Sequence, residues 1–251
     1  MAFRIEIRTG AIGILTLAGL MAASAPPARA ATFPARFDVR HRHWRKGATG
    51  VLDVGPASIS FEEKGKQAAH SRTWKYEDIQ QLTLSPGELK IVTYEDQKWQ
   101  LGRDREYVFD QLPKNMATQL YPFFRQVMDQ RFSANLADDD VKPLWSLPAK
   151  LTHGRGGTQG TLTVGEDRIV YQTDKGASHT WRYSDIDNVS RSGPFDLSLL
   201  TPERESWYHG SPTEFHFQLK QSLAEDRYND LWRRLNRSQG IQISEHDMTR
   251  H

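Results

Sequence analysis

The sequence predicts a mainly β fold: two small antiparallel barrels or sandwiches, each closed by a C-terminal amphipathic helix. Three observations carry that expectation. Short alternating apolar runs recur at near-regular spacing, a set of β-type motifs returns about 110 residues later, and each half ends on a helical apolar stripe.

The repeat organises everything else. Gly50-Val51-Leu52-Asp53-Val54-Gly55 returns as Gly160-Thr161-Leu162-Thr163-Val164-Gly165 at an offset of 110, and Ile59 and Phe61 return as Ile169 and Tyr171. Trp74-Lys75-Tyr76-Glu77-Asp78-Ile79 returns as Trp181-Arg182-Tyr183-Ser184-Asp185-Ile186 at 107. Leu89, Ile91, Thr93, Trp99, Tyr107 and Phe109 match Leu197, Leu199, Thr201, Trp207, Phe215 and Phe217 at 108. Offsets that change only between motifs are what loops of unequal length produce in two copies of one fold.

In the first copy, residues 51–54 and 58–61 alternate around the turn signal Gly55-Pro56 and read as a strand pair. A Trp/Tyr strand and alternating strands at 89–93 and 106–110 follow; the second copy repeats the set at 161–164, 168–172, 179–183, 197–201 and 213–218. Each copy then has a helix. Ser222 and Glu225 have the spacing of a capping box, and Tyr228, Leu231, Trp232 and Leu235 follow i, i+3, i+4, i+7. Leu120, Phe123, Phe124 and Val127 hold the equivalent places in the first copy, with Pro122 expected to kink that helix or start a new one. The expected organisation is 1–30 leader, 31–132 first module, 133–147 polar acidic linker, 148–237 second module and 238–251 flexible tail.

Residues 1–30 read as a secretory signal peptide: Arg4 and Arg8 precede the apolar run Ala11 to Ala23, and Ala28-Arg29-Ala30 supplies a cleavage signal after Ala30. That run is shorter than the roughly 20 residues a membrane-spanning helix needs. The formal charge of +2 resides wholly in this leader, where Arg4, Arg8 and Arg29 face only Glu6. The remaining chain is neutral and gives no reason to expect nucleic acid. Absence of cysteine excludes disulfides, thiolate metal sites and a cysteine nucleophile. A cysteine-free exported chain reads as bacterial and periplasmic or secreted.

Trp74, Tyr76, Ile79, Trp99 and Phe109, with Trp181, Tyr183, Ile186, Trp207, Phe217 and Trp232, are expected to form the repeated cores. Asp78 and Asp185 suit a strand-end turn or cap. The segment Arg40-His41-Arg42-His43-Trp44-Arg45-Lys46 has no counterpart motif in the second copy. Within it Arg40, Arg42, His43, Trp44, Arg45 and Lys46 are the candidate ligand-binding residues, since clustered cations beside an aromatic suit an anionic group; a solvated edge strand is the alternative. His41 and His43 are too sparse for a metal site, and no cofactor is expected. Gly154 to Gly160 resembles a phosphate cradle only superficially, because it precedes a strand, and is expected to be a flexible loop.

A small antiparallel barrel capped by one helix, with these Gly-x-Leu-x-Val and Trp-x-Tyr-x-Asp-Ile motifs, resembles the pleckstrin-homology-like (PH-like) superfold, in its GRAM-type and bacterial PH-like flavour. The matching positions are Gly50 to Phe61, Trp74 to Ile79 and Phe123 to Val127, with their second-copy partners. The resemblance implies a binding scaffold for phosphoinositides, peptides or proteins. In that superfold a Lys/Arg cluster near the first strand turn holds the lipid headgroup, whereas Val54 to Ala57 and Val164 to Asp167 carry no such cluster. The expected function is therefore a non-catalytic, exported module that binds a protein or cell-envelope component. Peripheral binding of anionic lipid through 40–46 is the alternative, and a cell-wall hydrolase is a remoter one, because paired carboxylates would have to converge from unrelated strands.

Overall fold

A computed structural model describes residues 35–43, 47–65, 69–97, 100–154, 156–204 and 212–240. The first half comprises β1 (Ala35–Arg42), β2 (Ala48–Val54), β3 (Ser58–Glu63), β4 (Arg72–Lys75), β5 (Ile79–Ser85), β6 (Glu88–Gln97), β7 (Gln100–Asp110) and helix α1 (Lys114–Val127). After strand β8 (Phe132–Ala134) come β9 (Pro143–His153), β10 (Gly156–Gly165), β11 (Arg168–Gln172), β12 (His179–Arg182), β13 (Asn188–Ser190), β14 (Asp196–Arg204), β15 (Pro212–Leu219) and helix α2 (Glu225–Ser238).

The same pairing scheme runs through both halves. The first strand of each bonds the second and also the seventh, β1 with β2 and β7, β9 with β10 and β15. Each half thereby curls around its own apolar cluster, one including Leu52, Ile59, Trp74, Ile79, Phe109 and Phe124, the other Leu162, Ile169, Trp181, Ile186, Phe217 and Leu231. Tyr76 and Tyr183 are buried too, and each hydroxyl donates to a glycine carbonyl at the first hairpin, Gly55 O at 2.7 Å and Gly165 O at 2.6 Å. The Trp-x-Tyr motif is thus a core ring followed by a hydrogen-bonded latch. Trp232 packs half-buried against the second core, while Trp99 and Trp207 lie outside the described residues.

The glycine opening each Gly-x-Leu-x-Val motif is required by close approach. A Cβ on Gly50 would lie 2.3 Å from Glu62 O and 2.6 Å from the Phe61 ring, and one on Gly160 2.2 Å from Gln172 O and 2.9 Å from Tyr171 Cζ. An aromatic from the next strand lies over the bare backbone in both halves, which is why glycine and ring recur together.

Several expectations change. The two halves do not stand as separate barrels; the fifteen strands of the described residues form one hydrogen-bonded sheet, in the order β13-β14-β15-β9-β10-β11-β12-β8-β5-β6-β7-β1-β2-β3-β4. The cause is β8, which runs parallel to β5 through Leu82↔Phe132, Thr83↔Ser133 and Leu84↔Ala134, and meets β12 antiparallel at Thr180↔Ala134. The acidic stretch 133–142 is accordingly a packed connector: Phe132, Ala134, Leu136 and Asp138 are all buried. Residues 156–160 are not a loose loop but the start of β10, paired from Gly156↔His153 onward, so the chain reverses at Gly154, whose φ is +45°. Helix α2 starts at Glu225 and not from a Ser222 cap, because Leu223 is drawn into the core with its N–H donating to Pro194 O at 2.7 Å. Pro122 sits inside α1 without dividing it; Pro122 and Thr118 are both exposed, so the carbonyl that loses its partner faces solvent.

Candidate functional site

Strand β1 alternates cleanly, Phe37, Val39 and His41 inward, Arg36, Asp38, Arg40 and Arg42 outward. The alternation decides the fate of the basic segment. Arg40 donates to both carboxylate oxygens of Asp110, at 2.9 and 2.7 Å, and Arg42 to Glu88 Oε2 at 2.9 Å. Asp110 holds the Arg40 pKa above its ordinary value. These two guanidiniums are half-exposed but their charges are matched, so they do not add up to a free cationic patch. Trp44, Arg45 and Lys46 lie outside the described residues.

His41 and His43 join a ring cluster at this end of the first half. His41 lies among Phe61, Tyr107 and Phe109, with the His43 and His70 rings 5.7 and 5.9 Å away. His43 stacks on His70 at 4.9 Å, and His70 Nδ1 is 3.0 Å from Glu63 Oε2. Burial, then the charges of His43 and His70, push the His41 pKa down to about 4, so it is neutral at physiological pH. Among the described residues no group of three or more His, Asp or Glu side chains is arranged to hold a metal ion. Arg72, bonded to the Tyr107 hydroxyl and to Glu95, lies over the Tyr107 ring and closes this end.

A second cluster sits where the two halves meet, and the sequence did not single it out. The C-terminal end of α1 is seated on the second Trp-x-Tyr-x-Asp motif. Arg182 donates to the carbonyls of Arg125 (2.9 Å), Met128 (3.4 Å) and Asp129 (2.7 Å), capping the helix from the other half. Asp185 holds that guanidinium in place through Nε at 2.6 Å. Burial raises the pKa of Asp185, and the Arg182 contacts counter it. Arg125 pairs with Asp167, and Gln130 donates to Ser184 O at 2.6 Å.

Beside this joint is a cavity of ≈ 370 Å³ lined by Tyr121, Pro122, Arg125 and Gln126 of α1, Asp138 and Asp140 of the connector, and Arg168 of β11. Arg168 and Asp138 form a nearly enclosed ion pair at 2.9 Å. Arg168 Nε is buried without an acceptor, 3.4 Å from Asp167 Oδ1 and outside hydrogen-bond geometry. The Tyr121 hydroxyl, on a residue 5% exposed, finds no acceptor for its proton, while the Arg168 side chain faces its oxygen and offsets part of the rise in its pKa. Burial first, and the Asp138 charge next, push the Tyr121 pKa up to about 12, so it stays a donor. The pocket thus presents donors from Tyr121 and Arg168 and acceptors on Asp138 and Asp140. Tyr121 lies just off the apolar stripe of α1, and that off-stripe aromatic was the sequence signal of a second covered face.

No family model and no curated protein matches the chain. Among solved structures, it overlays on the C-terminal domain of an unknown protein from Leishmania infantum at 19% identity, covering 38% of this chain and 84% of that one, with a TM-score of 0.29. The Vps36 N-terminal PH domain overlays at 16% identity, 41% and 85% coverage and a TM-score of 0.32. The Spt16D Pob3N heterodimer structure overlays at 12% identity, 74% and 96% coverage and a TM-score of 0.31. Overlays this loose carry no argument about function. What stands on the chain's own geometry is a mainly β molecule of two like-paired halves, each followed by a helix, with a polar pocket at their junction.

Proposed function

We propose that the chain is an exported, non-catalytic binding protein built of two PH-like modules, spanning 31–132 and 148–237, and that it recognises a protein or cell-envelope component through the composite pocket at the seam. The observation that carries this reading is the pair of enclosed donors, Tyr121 Oη and Arg168 Nε, left without acceptors in a cavity lined from both halves. Folded proteins satisfy nearly all buried polar groups, and a bound oxygen acceptor would complete both. The tying of Asp138 to Arg168 supports binding over hydrolysis, since a glycosidase needs two carboxylates free to act as acid and base or nucleophile. Export, with cleavage after Ala30, is checked by the intact mass of the accumulated protein.

The test of the site is co-sedimentation with isolated envelope fractions and, separately, with anionic phospholipid vesicles. The wild type should be retained by the envelope fraction. Tyr121→Phe should weaken retention about three- to tenfold, the worth of one buried hydrogen bond, while leaving thermal stability equal or higher because it removes an unsatisfied hydroxyl. Equal retention of wild type and variant, or no retention at all, contradicts the reading. Retention on anionic vesicles that an Arg45→Ala, Lys46→Ala variant abolishes would move the function to the basic segment instead.

A further inference from the structure

The charges lining the seam pocket are matched before any ligand enters. Arg168 is engaged by Asp138 at 2.9 Å, and Arg125 by Asp167. Asp140, exposed and lining the same cavity, has no ion-pair partner among the described residues. A phosphate or carboxylate would meet only arginines already paired, together with one unmatched acid, so the balance of charge turns anions away. Hydrogen-bonding capacity points the same way. Tyr121 brings an enclosed proton without an acceptor, while Asp138 and Asp140 bring lone pairs and no proton. An anion supplies acceptors alone, whereas a hydroxyl supplies one donor and two acceptor lone pairs and so serves both kinds of wall group.

The acceptor side is held rigidly. Asp138 Oδ2 takes the Arg168 guanidinium, Asp138 Oδ1 takes the Asp140 N–H at 3.0 Å, and the Asp138 N–H donates to Thr180 Oγ1 at 3.0 Å. Each carboxylate oxygen keeps a lone pair for a ligand. Arg168 Nε is buried without an acceptor on the same ion pair, so one salt bridge offers a donor and an acceptor together.

We propose that the seam pocket binds a neutral sugar with adjacent hydroxyls, the glycan part of an envelope component. The proposal rests on the seam-pocket reading above and names the ligand class for it. One hydroxyl accepts from Tyr121 or Arg168, and its neighbour donates to Asp138 or Asp140. Exposed Pro122 supplies an apolar wall for the C–H face of the ring, and a cavity of ≈ 370 Å³ lies in the range of small-ligand sites. A peptide amide also carries one donor and one acceptor, but main-chain recognition uses an open strand edge. β8, which leads into the connector, is bonded on both sides, to β5 and to β12, and offers none.

Retention of the purified chain on differently treated envelope fractions tests the ligand class. Periodate cleaves the carbon–carbon bond between adjacent hydroxyl-bearing carbons, and borohydride then reduces the aldehydes formed; a second portion is digested with proteinase K. Retention should fall about tenfold or more after periodate and borohydride, and persist after proteinase K. It should also persist in inorganic phosphate at about 10 mM, enough to fill a millimolar anion site. Asp140→Ala should weaken retention about three- to tenfold with the melting temperature unchanged, since Asp140 is exposed. Retention that survives periodate, is abolished by proteinase K or is displaced by phosphate overturns the proposal. Retention that needs the Tyr121 hydroxyl yet survives periodate removes the sugar and keeps the seam pocket, whereas retention indifferent to Tyr121→Phe removes both.

Discussion

His179 is buried face to face on Trp181, with ring centroids 5.1 Å apart and an interplanar angle of 6°, and also touches Phe215. Burial, helped by the charge of His153, pushes its pKa down to about 4 from an ordinary 6.5. The folded form therefore binds its proton less readily than the unfolded chain. Its contribution to stability is complete above pH 6.5 and is lost as pH falls through 4. His179→Phe, close in shape, should flatten the acid side of the stability profile, by up to about 3 kcal/mol near pH 4. Urea unfolding at a series of pH values reads this out, and an unchanged profile contradicts it. His41 shifts in the same direction, so part of the slope should survive. At this scale the motif residues were legible, because a buried Trp or a glycine under a ring leaves a mark on sequence wherever it recurs. Tyr121 and Arg168 were not, since their roles exist only once the halves meet.

Strand β8 is the element on which the architecture turns, and three residues embedded in a polar stretch gave it little sequence signal. Its neighbours Asp138 to Asp140 made the segment read as a solvated linker, although Asp138 is neutralised by Arg168. The strands β5, β9 and β13 were also missing from the sequence reading, and β1 entered it only as the alternative edge strand at 40–46, whereas it pairs on both sides. In β1 outward charges obscure the period of two; in β5 buried Gln81 and Thr83 interrupt the apolar run. A titratable contact reports on β8 directly. Ser133 Oγ donates to Glu203 Oε2 at 2.8 Å, and burial raises the Glu203 pKa to about 7 against the partial relief of Ser133, Trp181 and Lys90. A carboxyl protonated more readily when folded stabilises fully below its unfolded pKa of 4.5, and that contribution is lost as pH rises through 7. Glu203→Gln should therefore raise stability at pH 8 by about 3 kcal/mol and change it little at pH 4.5. Denaturant melts at the two pH values decide it, and equal effects at both would show that the carboxyl is not enclosed by the seam.

The whole molecule is two like-paired halves fused through one shared strand, and its candidate functions follow from that fusion. Charge balance and the recurring motifs were readable from sequence because each is a property of local residues or of their recurrence. The single sheet was not, because edge pairing between halves depends on where α1 delivers the chain; among the described residues no helix is long and apolar enough to cross a membrane. The composite pocket exists only if the connector is as ordered as the strands it joins. Native-state hydrogen exchange across residues 82–84 and 131–138 measures that directly. The amides of Leu82, Asn135 and Asp138, which donate to Arg131 O, Leu84 O and Thr180 Oγ1, should be protected to the level of the core strands β2 and β10. Exchange of these amides at unstructured-chain rates, with β2 and β10 still protected, would mean that the halves are separately tethered and that no built site lies between them.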